Sequence, residues 1–147
     1  MYKRQESDSS GKAAIGHGYT YSGHPVGAAA ALAAIAETRR LDVVTNAAAR
    51  GTQLYDGMVS LAGQYPVVGD VRGGHGLMTA MELVADRETK APIDSMLAIK
   101  MQKAAYQAGA LIRVSGPNVI LSPSLVIEEA DIDIALNAVE EGLKAIS

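Results

Sequence analysis

The 147-residue sequence contains no cysteine, no phenylalanine and no tryptophan. The lack of cysteine excludes disulfides, thiolate nucleophiles and cysteine-ligated zinc or iron–sulfur sites. Aromatic residues make up 4% of the chain and all of them are tyrosine, so a core has to be built from smaller side chains. The hydrophobic share of 48% and the charged share of 20% are ordinary for a folded globular domain and argue against disorder.

Strong positive charge and long apolar segments are also missing. The net charge of −3 predicts no binding to nucleic acid or to an anionic membrane surface. The longest apolar stretch, residues 26–36, is shorter than the ~18 residues that cross a bilayer. The first ten residues have no apolar centre and do not resemble a signal peptide. We therefore expect a cytoplasmic, single-domain chain.

The hydrophobic periodicity predicts four helices and four strands. The helices are predicted at residues 25–40, 42–62, 93–108 and 128–146, and the strands at residues 67–71, 77–84, 110–114 and 119–122. Residues 86–92 are expected to form a charged connection. In the second helix we expect one apolar stripe, made of Val44, Ala47, Ala48, Leu54, Met58 and Leu61. This order predicts an α+β fold, in which helices cover a small, largely antiparallel sheet.

Two glycine-rich segments are candidates for anion binding. Residues 18–25 place hydroxyls and glycine amides just before a predicted helix start at Pro25, where an anion is best held. The alternative is a structural turn in which Ser22 or His24 helps to cap the helix. Residues 73–76 precede a strand rather than a helix, so we expect a tight turn between strands there.

Arg113 lies on a predicted strand between Ile112 and Val114, near a Gly-Pro turn. Its planar guanidinium suits a carboxylate substrate, and the alternative is a solvated or ordinarily paired surface arginine. The three histidines, His17, His24 and His75, show no zinc-site spacing, so no metal site is predicted.

Four stretches in order together resemble the class III aminotransferases, or ω-transaminases, which use pyridoxal 5'-phosphate (PLP). They read HGYTYSGHP at residues 17–25, GDVRG at 69–73 leading to GLMTAMEL at 76–83, GALIR at 109–113, and VILSPSL at 119–125. The order and spacing are those of the C-terminal part of that family. The resemblance implies the C-terminal small domain of a fold-type I PLP enzyme, with Arg72 and the 73–76 turn as scaffold.

The resemblance also implies roles for two residues. Thr20 matches the threonine that binds the phosphate of the cofactor held by the other subunit of a homodimer. Arg113 matches an arginine that binds the substrate carboxylate and swings away for apolar amine substituents. One departure lies nearby, since residues 122–124 read Ser-Pro-Ser where many relatives have two prolines.

The catalytic Schiff-base lysine of the family lies before the first residue of this sequence. We therefore expect no catalytic residue in this chain, and expect the chain to be a truncated product or partial sequence that is inactive by itself. Residues 1–14 are expected to be a mobile tail outside the resemblance. The rest is expected to form a phosphate-binding loop at 15–25, helices at 26–66 and a small α+β domain at 67–147.

The implied parent enzyme moves an amino group between an amine or ω-amino acid and an α-keto acid. Two alternatives stay open. The chain could instead be a non-catalytic domain remnant or interaction module, or the enzyme could be an aminomutase or ornithine-type aminotransferase of the same class.

Overall fold

The computed structural model describes residues 18–147, so the expected tail at residues 1–14 lies outside the described part. The helices are α1 (Pro25–Arg40), α2 (Val43–Gln64), α3 (Ser95–Gln107) and α4 (Glu129–Lys144). The strands are β1 (Val68–Arg72), β2 (Thr79–Asp86), β3 (Ala91–Pro92), β4 (Arg113–Ser115) and β5 (Asn118–Leu121). The four predicted helices and four predicted strands are confirmed, with ends shifted by a few residues.

The contacts divide the chain into two compact units, Met1–Glu37 and Thr38–Ser147. The described part of the first unit contains a turn followed by most of α1. The alanine-rich sequence of α1 has high helix propensity, and none of its residues is buried. The second unit contains the sheet, the remaining helices and the hydrophobic core.

The sheet has the strand order β1-β2-β5-β4, with β3 paired to the end of β2, and every pair is antiparallel. Met81 of β2 lies between Val71 of β1 and Val119 of β5. The alternation along β2 turns Met81 and Leu83 into the core and leaves Glu82 on the opposite face. The predicted α+β fold with a small antiparallel sheet is therefore confirmed.

The prediction of a charged connection over all of residues 86–92 is wrong at both ends, because β2 extends to Asp86 and Ala91–Pro92 forms β3. Pro92 pairs with Val84 and Ala91 pairs with Asp86. The turn between the two strands is closed by the Asp86 carboxylate, which accepts a hydrogen bond from the Thr89 main-chain N–H at 2.6 Å. A two-residue strand that contains proline is too short to give a periodic signal.

Helices α2 and α3 contact the strands, and α4 packs against both helices. Among residues 18–147, the fully buried core side chains are aliphatic residues and methionines, and Tyr65 packs against them half-buried. The fully buried side chains of the core include Leu54, Met58, Val68, Met81, Leu83, Met101, Val119, Ile132, Val139 and Leu143.

The predicted start of the buried stripe of α2 is wrong. Val44 is 73% exposed and Ala48 is exposed, whereas Val43 is buried. Counting back from the buried Leu54 by three, four and four residues reaches Gly51, Ala47 and Val43. The helical period therefore places Val43 on the core face and turns Val44 away from it.

The turn at residues 73–76 is a connection between two strands, as predicted. Gly73, Gly74 and Gly76 all have positive φ angles, which side chains rarely adopt. Gly51 of α2 supports this turn, since a Cβ atom there would lie 2.3 Å from the carbonyl oxygen of Gly76. No local pattern in the sequence marks Gly51, since this close approach exists only in the folded chain.

Candidate functional site

Thr20 lies in an exposed turn that leads into α1. The Ser22 N–H donates to the Tyr19 carbonyl at 2.9 Å, so Thr20 occupies the second position of the turn. The Ser22 hydroxyl accepts a hydrogen bond from the Tyr19 N–H at 3.0 Å. Thr20 is exposed and makes no hydrogen bond to any other described residue.

The start of α1 is capped by His24. Its Nδ1 accepts a hydrogen bond from the Gly27 N–H at 3.3 Å, and its ring packs edge-on to Tyr21 with centroids 5.9 Å apart. The structural alternative in which Ser22 or His24 stabilises the turn is therefore present. The hydrogen bonds made by Ser22 and His24 do not involve the Thr20 side chain. Stabilisation of the turn is therefore compatible with anion binding at Thr20.

Arg113 begins the edge strand β4 and is exposed. It pairs directly with Ile120, so both side chains lie on the face opposite the buried Val119. Among the residues the structure describes, Arg113 has neither an ion pair nor a side-chain hydrogen bond. Other arginines of the same unit do have partners: Arg50 binds Glu129 at 2.9 Å and Arg72 binds Glu82 at 3.3 Å.

A pocket of about 420 Å³ opens beside Arg113. Its walls are mainly apolar and include Leu111, Ile120 and Ile134, and Asp131 also reaches it. A guanidinium beside apolar walls is suited to a small carboxylate that carries an apolar group.

The face of the sheet that carries Arg113 also holds a polar network. Arg72 Nη2 donates to Asn118 Oδ1 at 2.7 Å, and the Arg72 guanidinium contacts both Glu82 and Asp70. These residues lie on β1, β2 and β5, so the network joins three adjacent strands. The expectation that Arg72 acts as scaffold is consistent with this geometry.

Two polar side chains that the sequence does not mark, those of Gln102 and Arg87, bind main-chain oxygens of distant segments. Gln102 of α3 donates to the main-chain oxygen of Ile112 at 2.8 Å. Arg87 donates to the main-chain oxygens of Ala62, Tyr65 and Val68. Both bind main-chain atoms of distant segments, so neither residue belongs to a local motif that the sequence could reveal.

The groups with shifted pKa values belong to other parts of the second unit. Burial, followed by the nearby Glu140 carboxylate, raises the pKa of Tyr65, whose hydroxyl donates to Glu140 at 3.2 Å. Hydrogen bonds to Glu141 and Glu140 raise the pKa of Lys144. Hydrogen bonds from Thr89 lower the pKa of Asp86.

Residues 18–147 contain no cluster of three or more potential metal ligands. His17 lies outside the described residues. In the same range no helix has the length and apolar character needed to cross a membrane.

The sequence also matches known proteins. The family model "Aminotransferase class-III" matches residues 5–143. The chain belongs to the class-III aminotransferase family. The match starts before Ile15, so it is longer than the stretch that the motifs indicated. Members of this family depend on PLP and act on small-molecule substrates.

Three relatives of the family illustrate the similarity. An uncharacterized aminotransferase of Sinorhizobium fredii is 36% identical over 99% of this chain and 32% of its own length. The taurine–pyruvate aminotransferase of Bilophila wadsworthia is 37% identical over 86% of this chain and 29% of its own. A PLP-bound amine transaminase from an uncultivated Pseudomonas species superposes with a TM-score of 0.81 at 39% identity, covering 90% of this chain and 30% of its own.

These neighbours confirm the fold-type I relationship. This chain spans about a third of the length of these relatives. Thr20 and Arg113 lie in different units of the chain, so each is a separate candidate contact.

Proposed function

We propose that this chain supplies two binding contacts of a PLP-dependent transaminase. Thr20 binds the phosphate of the cofactor and Arg113 binds the carboxylate of a substrate. The parent enzyme moves an amino group between an amine or ω-amino acid and an α-keto acid. Membership of the class-III aminotransferase family supports this assignment.

The observation that carries the proposal is the arginine on the pocket wall. Arg113 is one of the residues that line a pocket with mainly apolar walls, its side chain is exposed, and it has no carboxylate partner among the described residues. A guanidinium binds a carboxylate through two parallel N–H···O bonds, which fix both its position and its orientation. Arg113 holds and orients the acid without exchanging a proton. We therefore expect its loss to raise the KM for the carboxylate substrate.

Thr20 fits the cofactor through its phosphate. An exposed hydroxyl in a turn with a helix start close behind it is a donor suited to a phosphate oxygen. When bound, the cofactor supplies the electron sink for the deprotonated substrate carbon. Thr20 anchors the phosphate end of the cofactor and takes no part in moving a proton.

The covalent step of the reaction needs a Schiff-base lysine, and we assign that role to no lysine of this chain. Lys90 donates to the Gly69 carbonyl at 3.1 Å, and Lys144 is paired with Glu140 and Glu141. We expect no transamination by the 147-residue chain alone, because none of its lysines lies in a stretch that the resemblance links to the covalent step. In the parent enzyme, Thr20 is proposed to reach the cofactor of the second subunit of a homodimer.

A domain exchange tests the assignment of Thr20. Residues 18–147 replace the matching segment of the Pseudomonas amine transaminase, and amine-to-pyruvate turnover is measured with added PLP. We expect the chimera to be active. Because a hydrogen bond to a charged phosphate is worth about 1.5–3 kcal/mol, Thr20→Val should raise the PLP dissociation constant by roughly 10- to 100-fold.

Thr52→Val provides the matched control. Within the described part of the chain, the Thr52 hydroxyl bonds only to its own helix, at the Ala48 carbonyl at 3.1 Å, so its loss should leave PLP affinity unchanged. A folded chimera that binds PLP equally well with valine at position 20 contradicts the proposed role of Thr20.

A further inference from the structure

Arg113 lies on a short edge strand of the sheet. β4 is three residues long, and within the described part of the chain it pairs only with β5. A short edge strand has few ladder hydrogen bonds to fix it. The direction of the Arg113 side chain therefore depends on what else holds its main chain.

Gln102 of α3 supplies such a contact. Its Nε2 donates at 2.8 Å to the main-chain oxygen of Ile112, the residue directly before Arg113. The Gln102 side chain is half-buried, and Ile112 is only 2% exposed. The side chain of Ile112 is thus fixed by the core while its carbonyl group is fixed by Gln102.

The contact on the other side of Arg113 is longer. Asn118 Nδ2 donates to the Ser115 carbonyl at 3.4 Å, beyond the usual range for an N–H···O bond. Asn118 is itself held by Arg72 at 2.7 Å. Of the two side-chain amides that bind the main chain around Arg113, Gln102 therefore makes the stronger bond.

We propose that Gln102 is a positioning residue for Arg113. By holding the peptide group between Ile112 and Arg113, it fixes the main chain from which the guanidinium extends. The inference rests on the proposed role of Arg113 as a carboxylate-binding residue. A bidentate contact needs both N–H groups in line with the carboxylate, so a small rotation of the main chain breaks one of the two bonds.

The test uses the full 147-residue chain and pyruvate as the carboxylate probe, at constant ionic strength. Gln102→Met keeps nearly the same shape without a donor, and Gln102→Asn keeps an amide that is too short to reach Ile112. Gln107→Met, at an exposed position of the same helix, is the matched control. Binding is followed by NMR at the Nε–Hε signal of Arg113, which is assigned from its loss in Arg113→Lys.

We expect both Gln102 variants to weaken pyruvate binding about five- to tenfold, the range expected from losing one hydrogen bond. They should also shift the Arg113 signal before pyruvate is added, while the Arg72 and Arg87 signals stay in place. Those two signals report that the domain remains folded. Gln107→Met should change neither the affinity nor the spectrum.

The outcomes separate this inference from the proposed function. If Arg113→Lys loses binding but both Gln102 variants bind pyruvate as tightly as the unchanged chain, only the positioning role is overturned. If the unchanged chain does not bind pyruvate, or Arg113→Lys binds it equally well, the proposed function is contradicted and the positioning role falls with it.

Discussion

At the scale of single residues, the buried hydroxyl of Thr79 carries a cost. Thr79 is fully buried on β2 and its Oγ1 has no hydrogen-bond partner among the described residues. Valine has the same branched shape without the polar group. Because an unpaired buried hydroxyl is unfavourable, Thr79→Val should raise the free energy of unfolding by about 1 kcal/mol, measured by urea denaturation.

Thr89→Val is the matched control for this prediction. The Thr89 hydroxyl donates to the Asp86 carboxylate at 2.8 Å, so its loss should lower stability. If Thr79→Val instead destabilises the chain as much as Thr89→Val does, the Thr79 hydroxyl has a partner and the account of it is wrong.

Some residues could be found from the sequence and others could not. Thr20 and Arg113 were found because each lies in a recognisable string, and the proposed roles of both residues are still predictions. Thr79 shows no local sign of its unpaired hydroxyl, since that depends on which atoms surround it after folding. Gln102 has the same difficulty, because its partner Ile112 lies in the connection between α3 and β4 and is brought to it only by folding.

At the scale of elements, Arg87 stabilises the end of α2. Its guanidinium donates to the carbonyls of Ala62 and Tyr65 at the end of the helix, and to Val68 at 2.8 Å. The last carbonyls of a helix have no partner within the helix. We expect Arg87→Ala to lower the free energy of unfolding by about 1–2 kcal/mol, read from chemical denaturation.

Two other variants test the cause of that loss. Arg87→Lys keeps the charge but cannot reach several carbonyls at once, so it should recover only part of the stability. Arg113→Ala removes an arginine without partners among the described residues and should change stability by less than about 0.5 kcal/mol. Equal losses for Arg87→Ala and Arg113→Ala would contradict the capping role.

The turn between β2 and β3 makes stability depend on acid pH. Hydrogen bonds from Thr89 lower the pKa of Asp86 below its ordinary value of 3.8. A lowered pKa in the folded state adds stability above the unfolded value, and that stability is lost as the pH falls through the folded value. Asp86→Asn should therefore destabilise the chain at pH 7, and the difference should shrink below pH 3.8.

Urea denaturation at pH 7 and at pH 3 measures this difference. Asp56→Asn, at an exposed position of α2, is the control and should show little difference at either pH. A loss for Asp86→Asn that is as large at pH 3 as at pH 7 would show that the charge of Asp86 has no part in the turn.

The elements themselves were largely predictable. The long periodic helices and the strands that flank the 73–76 turn follow from hydrophobic spacing. β3 was missed because two residues that include proline give no pattern. The stripe of α2 was placed one residue late at its start, since Val43 and Val44 are equally apolar and only the helical phase fixed by Leu54 distinguishes them.

At the scale of the whole molecule, the chain combines membership of the class-III aminotransferase family with an α+β fold built on an antiparallel sheet. The chain matches the class-III family along nearly its whole length but spans about a third of the relatives. An antiparallel sheet with helices on one side places Arg113 at its edge, beside a pocket with mainly apolar walls. The proposed function requires Arg113 to bind the carboxylate of a substrate.

The most direct test compares the active chimera with its Arg113→Ala variant, by measuring the KM for pyruvate and the KM for the amine separately. Losing a bidentate contact with a charged group costs about 1.5–3 kcal/mol. We predict that the KM for pyruvate rises at least about tenfold, while the KM for an amine that lacks a carboxylate stays nearly constant. An unchanged KM for pyruvate, or an equal rise for both substrates, would contradict the proposed role of Arg113.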